Sequence, residues 1–156
     1  MHLQYKNTKQ NIQAVQKRAR HVAPHLHNTL ELVYVTEGTL ELGVGQELYH
    51  LETGDMGIIF PNIIHHYQVF GADAHKIYLV NIAAGSIGFF GEELQKYAPV
   101  MPVIKRSELG EEVIHALYRM MLTQEWEFTI LQAYLQIVLA RCVPLLDLDE
   151  KSKVGS

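Results

Sequence analysis

"PHLHNTLELVYVTEG", residues Pro24 to Gly38, is the stretch on which the reading of this chain turns. His25 and His27 stand one residue apart, Glu31 follows, and then come an apolar run and a glycine. Residues i and i+2 of a strand point to the same side. The spacing therefore aims two imidazoles at one point. Glu31 keeps the same parity and reaches that point if the strand runs on across Asn28 and Thr29. A third imidazole is available in "PNIIHHYQVF", residues 61–70, as His65 or His66. With His65 inward, Tyr67 and Val69 turn inward too, and His66 and Gln68 face solvent. With His66 inward, Gln68 is buried with it. The first choice buries more apolar surface, which selects His65.

Three histidines and one carboxylate suit a first-row divalent metal such as Zn, Fe, Mn, Ni or Cu. With room for a water, such a centre serves catalysis or ligand holding. The same side chains on an inward face also serve as hydrogen-bonding partners for one another or for a polar ligand. Spacing does not choose between these readings, because the groups that orient the imidazoles are not visible in it. The other histidines, His2, His21, His50, His66, His75 and His115, are expected at the surface or at strand edges.

Outward from this stretch the chain has two regimes. Up to about Ala84 it is a series of short β-type runs: "IQAVQKRARHVA", "LELVYVT", "TLELGV", "QELYHL", "GIIF", "HHYQVF" and "HKIYLVNIA". Gly38, Gly45, Gly54, Pro61-Asn62 and Gly71 punctuate them, with "GVGQ" and "ETGD" reading as tight turns. Many short strands at this spacing predict a sandwich or small barrel. From Ser107 the period becomes helical. "SELGEEVIHALYRMMLTQ" puts Leu109, Val113, Leu117 and Met120 or Met121 on one face, with Ser107 as the expected N-cap. Glu108, Glu111 and Glu112 suit the positive end of that helix dipole. "EFTILQAYLQIVLARCV" predicts a second helix whose Leu131, Leu135, Val138, Cys142 and Leu145 form an a/d seam. Pro144 ends or kinks it near Val143. Between the regimes, "FFGEELQKY" reads as a short helix and "PVMPVI" as extended chain. The tail "DLDEKSKVGS" is polar and expected to fray.

At 156 residues, 48% hydrophobic and 19% charged, the chain is long enough for one domain with a sizeable core. Its lone cysteine, Cys142, makes no internal disulfide, and no apolar run marks a secretory signal or a membrane span. A cytoplasmic location is the expectation. Net charge is −4, which argues against nucleic-acid binding by this chain alone. The charge is uneven, because Lys6, Lys9, Lys17, Arg18 and Arg20 give the first 24 residues +5 and leave the rest −9. A solvated arm and edge strand is the plain reading of that run.

Two further motifs carry a resemblance. "HLHNTLELVYVTEG" is similar to the first motif of the cupin superfamily: His-x-His, three residues, Glu, six residues, Gly. "GDMGIIFPNIIH" resembles its second, and counting from Gly54 puts His65 at the family's metal-ligand histidine. Phe60 replaces the usual first proline, and Asn62 stands at the usual glycine, where asparagine is the best substitute for positive φ. With the trailing helix pair, roughly Arg20 to Leu146 resembles the N-terminal effector-binding and dimerisation domain of AraC-family transcription regulators.

That resemblance implies a mainly β fold, a cupin double-stranded β-helix (jelly-roll barrel) followed by two C-terminal amphipathic α-helices. The expected division is a barrel with a basic arm over 1–105, a helical dimerisation segment over 106–147 and a polar tail over 148–156. It implies a small-molecule effector, with a sugar as the family precedent, bound by His25, His27, Glu31, His65 and Tyr67. A divalent metal (Zn, Ni, Mn or Fe) on His25, His27, Glu31 and His65 goes with it, as does a homodimer. DNA contact would belong to a helix-turn-helix part absent from this sequence, as in a truncated or naturally short relative. The competing reading is a metal-dependent cupin enzyme of dioxygenase or isomerase type. The helical seam separates the two, since a dimeric regulator uses one and an enzyme of this fold does not need it.

Overall fold

The computed structural model describes residues 11–153. Lys6, Lys9 and His2 lie outside the described residues. The described residues form eleven strands: β1 (Ile12–Arg18), β2 (Val22–His25), β3 (Thr29–Glu37), β4 (Leu40–Val44), β5 (Glu47–Leu51), β6 (Met56–Ile59), β7 (His65–Gln68), β8 (Lys76–Ala83), β9 (Tyr97–Pro99), β10 (Val103–Ile104) and β11 (Leu148–Glu150). Helix α1 is Gly91–Lys96, α2 is Glu111–Leu122 and α3 is Phe128–Cys142. One antiparallel sheet has the order β1-β8-β3-β6-β10 and a second the order β2-β7-β4-β5. β11 and β9 form a separate two-stranded ribbon.

The two larger sheets face each other across one apolar core. Gly57 of β6 shows how close they come, because a Cβ there would lie 2.8 Å from Leu42 of β4 and 2.9 Å from Val33 of β3. Only a glycine fits that approach. β3 is central in its sheet and covered on both faces, with every residue from Leu30 to Val33 buried. Its near-continuous apolar run follows from that double burial. Glu31 is the exception inside it. Asp55 is a second buried carboxylate, accepting the backbone N–H of Glu52 at 2.8 Å and of Arg106 at 2.7 Å.

Lys17 and Arg18 lie in β1, an edge strand, where cations discourage further strand pairing. The helix pair packs against β1. Leu109, Val113, Leu117 and Met120 are buried, as are Leu131, Leu135, Val138 and Cys142 of α3. The a/d seam is therefore an internal one. Pro144 sits in a 3₁₀ turn over Val143–Leu145 that takes Leu145 off the seam and leaves it 52% exposed. Residues Phe128–Leu145 are apolar enough, at mean hydropathy 1.5, to match a membrane span by composition, but here one face of that helix belongs to the core.

Four local expectations need correction. The single run "IQAVQKRARHVA" is two strands in different sheets, because Ala19 turns the chain by donating its N–H to His75 O at 2.8 Å. Ser107 does not cap α2. It lies in a turn anchored by the Asp55–Arg106 bond, and the helix starts after Gly110, with Glu111 and Glu112 in its first turn and Glu108 outside it. His75 is buried, its Nδ1 within 3.0 Å of the Thr39 backbone. The tail does not fray from residue 148: β11 pairs Leu148, Asp149 and Glu150 with Pro99, Ala98 and Tyr97. Backbone groups hold it, so polar composition gave no sign of it.

A candidate metal and ligand centre

The chain changes sheets between His25 and Thr29. His25 ends β2 opposite His65 of β7, and Glu31 lies on β3 in the facing sheet, between Asn81 and Ile59. His27 sits in the crossing segment, outside both strands. Strand parity is therefore not what brings the three together. The corner wraps around the point, and the third imidazole approaches from β7. One ligand atom from each of His25, His27, Glu31 and His65 lies within 4.8 Å of all the others.

Each imidazole is oriented by its Nδ1. His25 Nδ1 lies 2.9 Å from Ala23 O, His65 Nδ1 lies 2.9 Å from Ile63 O, and His27 Nδ1 contacts the Thr29 hydroxyl. A carbonyl only accepts, so His25 and His65 carry a proton on Nδ1, which leaves Nε2 as the atom that would meet an ion when the ring is neutral. Among the described residues His65 Nε2 is buried without a hydrogen-bond partner, 3.5 Å from Glu31 Oε2. His27 Nε2 is 3.9 Å from Glu31 Oε1. Tyr67 donates its hydroxyl to Glu31 Oε2. The rings of His25 and His65 have centroids 4.2 Å apart, and those of His27 and His65 5.5 Å.

Electrostatics favour an ionised carboxylate beside imidazoles of mixed tendency. Burial on its own would push the Glu31 carboxyl up, but His65 and the Tyr67 hydroxyl outweigh it, and the net direction is down. Burial, reinforced by the Glu31 charge, drives the Tyr67 hydroxyl well above its ordinary value, so it stays a donor. Burial lowers His27 more than Glu31 raises it, with His65 and His25 adding to the fall. Burial also opposes the charged form of His65, but Glu31 and the Ile63 carbonyl carry it upward overall.

A divalent ion fits this donor set. Bonds of about 2.1 Å put neighbouring ligand atoms about 3–4 Å apart, so closing on an ion takes shifts on the order of an ångström. The buried, unpartnered His65 Nε2 beside a buried carboxylate is the arrangement a cation would complete. Glu31 and His65 form the closed side, with side chains 4% and 2% exposed. His27, 38% exposed, faces the open side, where further coordination positions would meet solvent or a ligand.

The rim is a set of uncharged amides that sequence reading did not assign to the site. Asn62, at φ 63°, donates its N–H to His27 O at 3.0 Å and its side-chain amide to Asn28 Oδ1 at 3.0 Å. Gln95 of α1 donates to the same Asn28 oxygen at 2.8 Å. Asn62 was legible as a positive-φ position. Gln95, 67 residues from Asn28, left no local signal. His66 is half-buried on the outer face over Gly43, and Gln68 beside it likewise turns away from the centre.

Fold and site together define a cupin-type ligand-binding domain. The chain belongs to the AraC-like ligand binding domain family, whose model matches residues 12–133. Among solved structures it is similar to the cupin domain of Schizosaccharomyces pombe Cnp3, at 10% identity and TM-score 0.44, over 47% of this chain and 56% of that one. It is also similar to a Klebsiella pneumoniae protein with a double-stranded beta-helix domain, at 23% identity and TM-score 0.44, over 47% and 65%. A mutant of Bacillus subtilis oxalate decarboxylase matches at 18% identity and TM-score 0.42, over 47% of this chain and 22% of that one. The chain thus covers less than two thirds of each of these proteins. A comparison with curated proteins found no match.

Proposed function

We propose that this chain is the sensing and dimerisation part of a transcription regulator, and that its effector is a small polar molecule bound at His25, His27, Glu31 and His65. Tyr67 holds Glu31 in place. A divalent ion (Zn, Ni, Mn or Fe) at the four side chains would present open positions to an oxygen-bearing effector, a sugar being the family precedent. The observation that carries this reading is the buried Glu31 carboxylate facing three imidazole edges, one of them the unpartnered His65 Nε2. DNA contact would belong to a helix-turn-helix part beyond these residues.

The dimer contact is proposed on the outer face of α3. Its seam residues Leu131, Leu135, Val138 and Cys142 are used internally, which leaves Ile130 and Ile137, 44% and 36% exposed, with Tyr134 between them. Trp126, in the α2–α3 connection, is 80% exposed. A face of this kind on a soluble domain marks a protein contact. The division into barrel (1–105), helical segment (106–147) and tail (148–156) remains the working description of which part does which job.

Metal analysis of the purified protein and of His27→Ala, both prepared without metal-affinity resin, tests the centre. Stoichiometric metal in the first and loss in the second supports it. No metal in either, after addition of Zn, Ni, Mn or Fe, refutes the metal and leaves the polar pocket. The enzyme reading draws on one observation, the open side at His27, which would admit a substrate to the ion. Mass spectrometry separates the two readings: a sensor returns its ligand unchanged from the metal-loaded protein, and an enzyme returns a product.

A further inference from the structure

The β6–β7 connection, Pro61–Asn62–Ile63, stands between the centre and the C-terminal strand. On the inner side, Asn62 N donates to His27 O at 3.0 Å and Ile63 O accepts from His65 Nδ1 at 2.9 Å. One ligand side chain, His65, and the backbone of a second, His27, are thus tied to this turn. On the outer side, Lys151 Nζ donates to Pro61 O at 2.6 Å. Lys151 N also donates to Lys96 O at 3.3 Å, and its neighbour Gln95 reaches Asn28 Oδ1 at 2.8 Å. The last turn of α1 and the residue after β11 therefore clasp the turn that positions His27 and His65.

Elsewhere β11 is anchored by its ribbon partner and by Leu148, which packs against the core. The strand is three residues long and, among the described residues, pairs only with β9, extended by the bond Val100 N to Asp147 O at 2.8 Å. A two-stranded ribbon adds little stability of its own, so the docking of β11 leans on Leu148 against the core and on the Lys151 clasp.

We infer that β11 reports on the centre: filling the His/Glu point and docking β11 through the Lys151–Pro61 clasp stabilise each other. This rests on the metal reading of the site. An ion on His27 and His65 fixes the His65 ring bonded to the turn and the residue whose backbone carbonyl the turn holds, so less freedom remains to be lost when Lys151 docks on it. Linkage makes the effect reciprocal: whatever factor the ion adds to docking, docking adds to ion affinity. The consequence is that the position of the chain after α3 depends on occupancy of the site.

The test uses the full chain and zinc alone. Affinity is measured by titration calorimetry, and amide exchange of residues 147–151 and Val100 is followed by mass spectrometry with and without zinc. Coupling free energies of this kind correspond to about 5–150-fold, so zinc should slow exchange in β11 at least about fivefold. Lys151→Met should abolish that protection and weaken zinc affinity by the same factor, and Lys153→Met, two residues on and exposed, should do neither. Gln95→Leu serves as a second clasp variant, expected to reduce the protection in part. Zinc binding with unchanged exchange in β11, or a Lys151→Met variant that binds zinc as tightly as the parent, overturns the coupling alone. Failure of the parent to bind zinc overturns the metal reading and the coupling with it, and leaves the polar pocket.

Discussion

Replacing Tyr67 with Phe removes one oxygen from the interior and nothing else. The ring stays packed, because Tyr67 is only 6% exposed and phenylalanine keeps its shape. What is lost is the donor on Glu31 Oε2, whose carboxylate is itself 3% exposed. A hydrogen bond to a charged group is worth roughly 1.5–3 kcal/mol, and a buried carboxylate that loses its donor stands at the upper part of that range. For a chain of this length each kcal/mol moves Tm by about 2–4 °C. Tyr67→Phe should therefore melt about 4–12 °C below the parent when both are stripped of metal. The assay is thermal and urea unfolding, with Glu31→Gln and the double variant completing a cycle. Because the two residues touch, the cycle should show coupling of at least about 1 kcal/mol. A Tyr67→Phe protein as stable as the parent, or additive single changes, would refute the claim that the hydroxyl sustains an ionised Glu31.

Metal occupancy should fall as pH drops through the ordinary histidine range, about 6.5, because each proton gained by an imidazole removes a ligand lone pair; equilibrium dialysis at pH 5.5 and 7.5 checks it, and equal occupancy at both refutes histidine ligation. Leu135→Ala, at a position with no exposure, should cost about 2–5 kcal/mol, whereas Ile137→Asp should leave a folded chain that sediments as a monomer. A Leu135→Ala protein that keeps its stability but loses its dimer would reverse the assignment of the two faces. Burial pushes the Cys142 thiol up to about 12, so iodoacetamide at pH 8 should label it only after unfolding; rapid labelling of the native protein would show that the seam is open.

Much of the frame was legible because it depends on patterns that run along the chain. Alternation and turn residues marked the strands, and the 3.6 period marked both helices. The apolar gain from turning Tyr67 inward separated His65 from His66, and the structure has His65 buried and His66 half-buried. Asn62 at a glycine position pointed to positive φ, which the backbone adopts at 63°.

What tertiary structure alone decided is how residues far apart in sequence were brought into register. The reading of "HLHNTLEL" as one strand gave convergence for the wrong reason, since the chain turns from one sheet to the other between His25 and Thr29. Periodicity marked α3 as amphipathic but did not say what lies against the stripe, and the answer is the protein's own core. Local sequence sets which side chains share a face, through the 2.0 and 3.6 periods of strand and helix. It does not set which backbone groups find each other across long separations, as Lys151 finds Pro61 and β11 finds β9. Those bonds use carbonyls and amides that every residue carries, so composition holds no trace of them, and only the closed fold selects which are made.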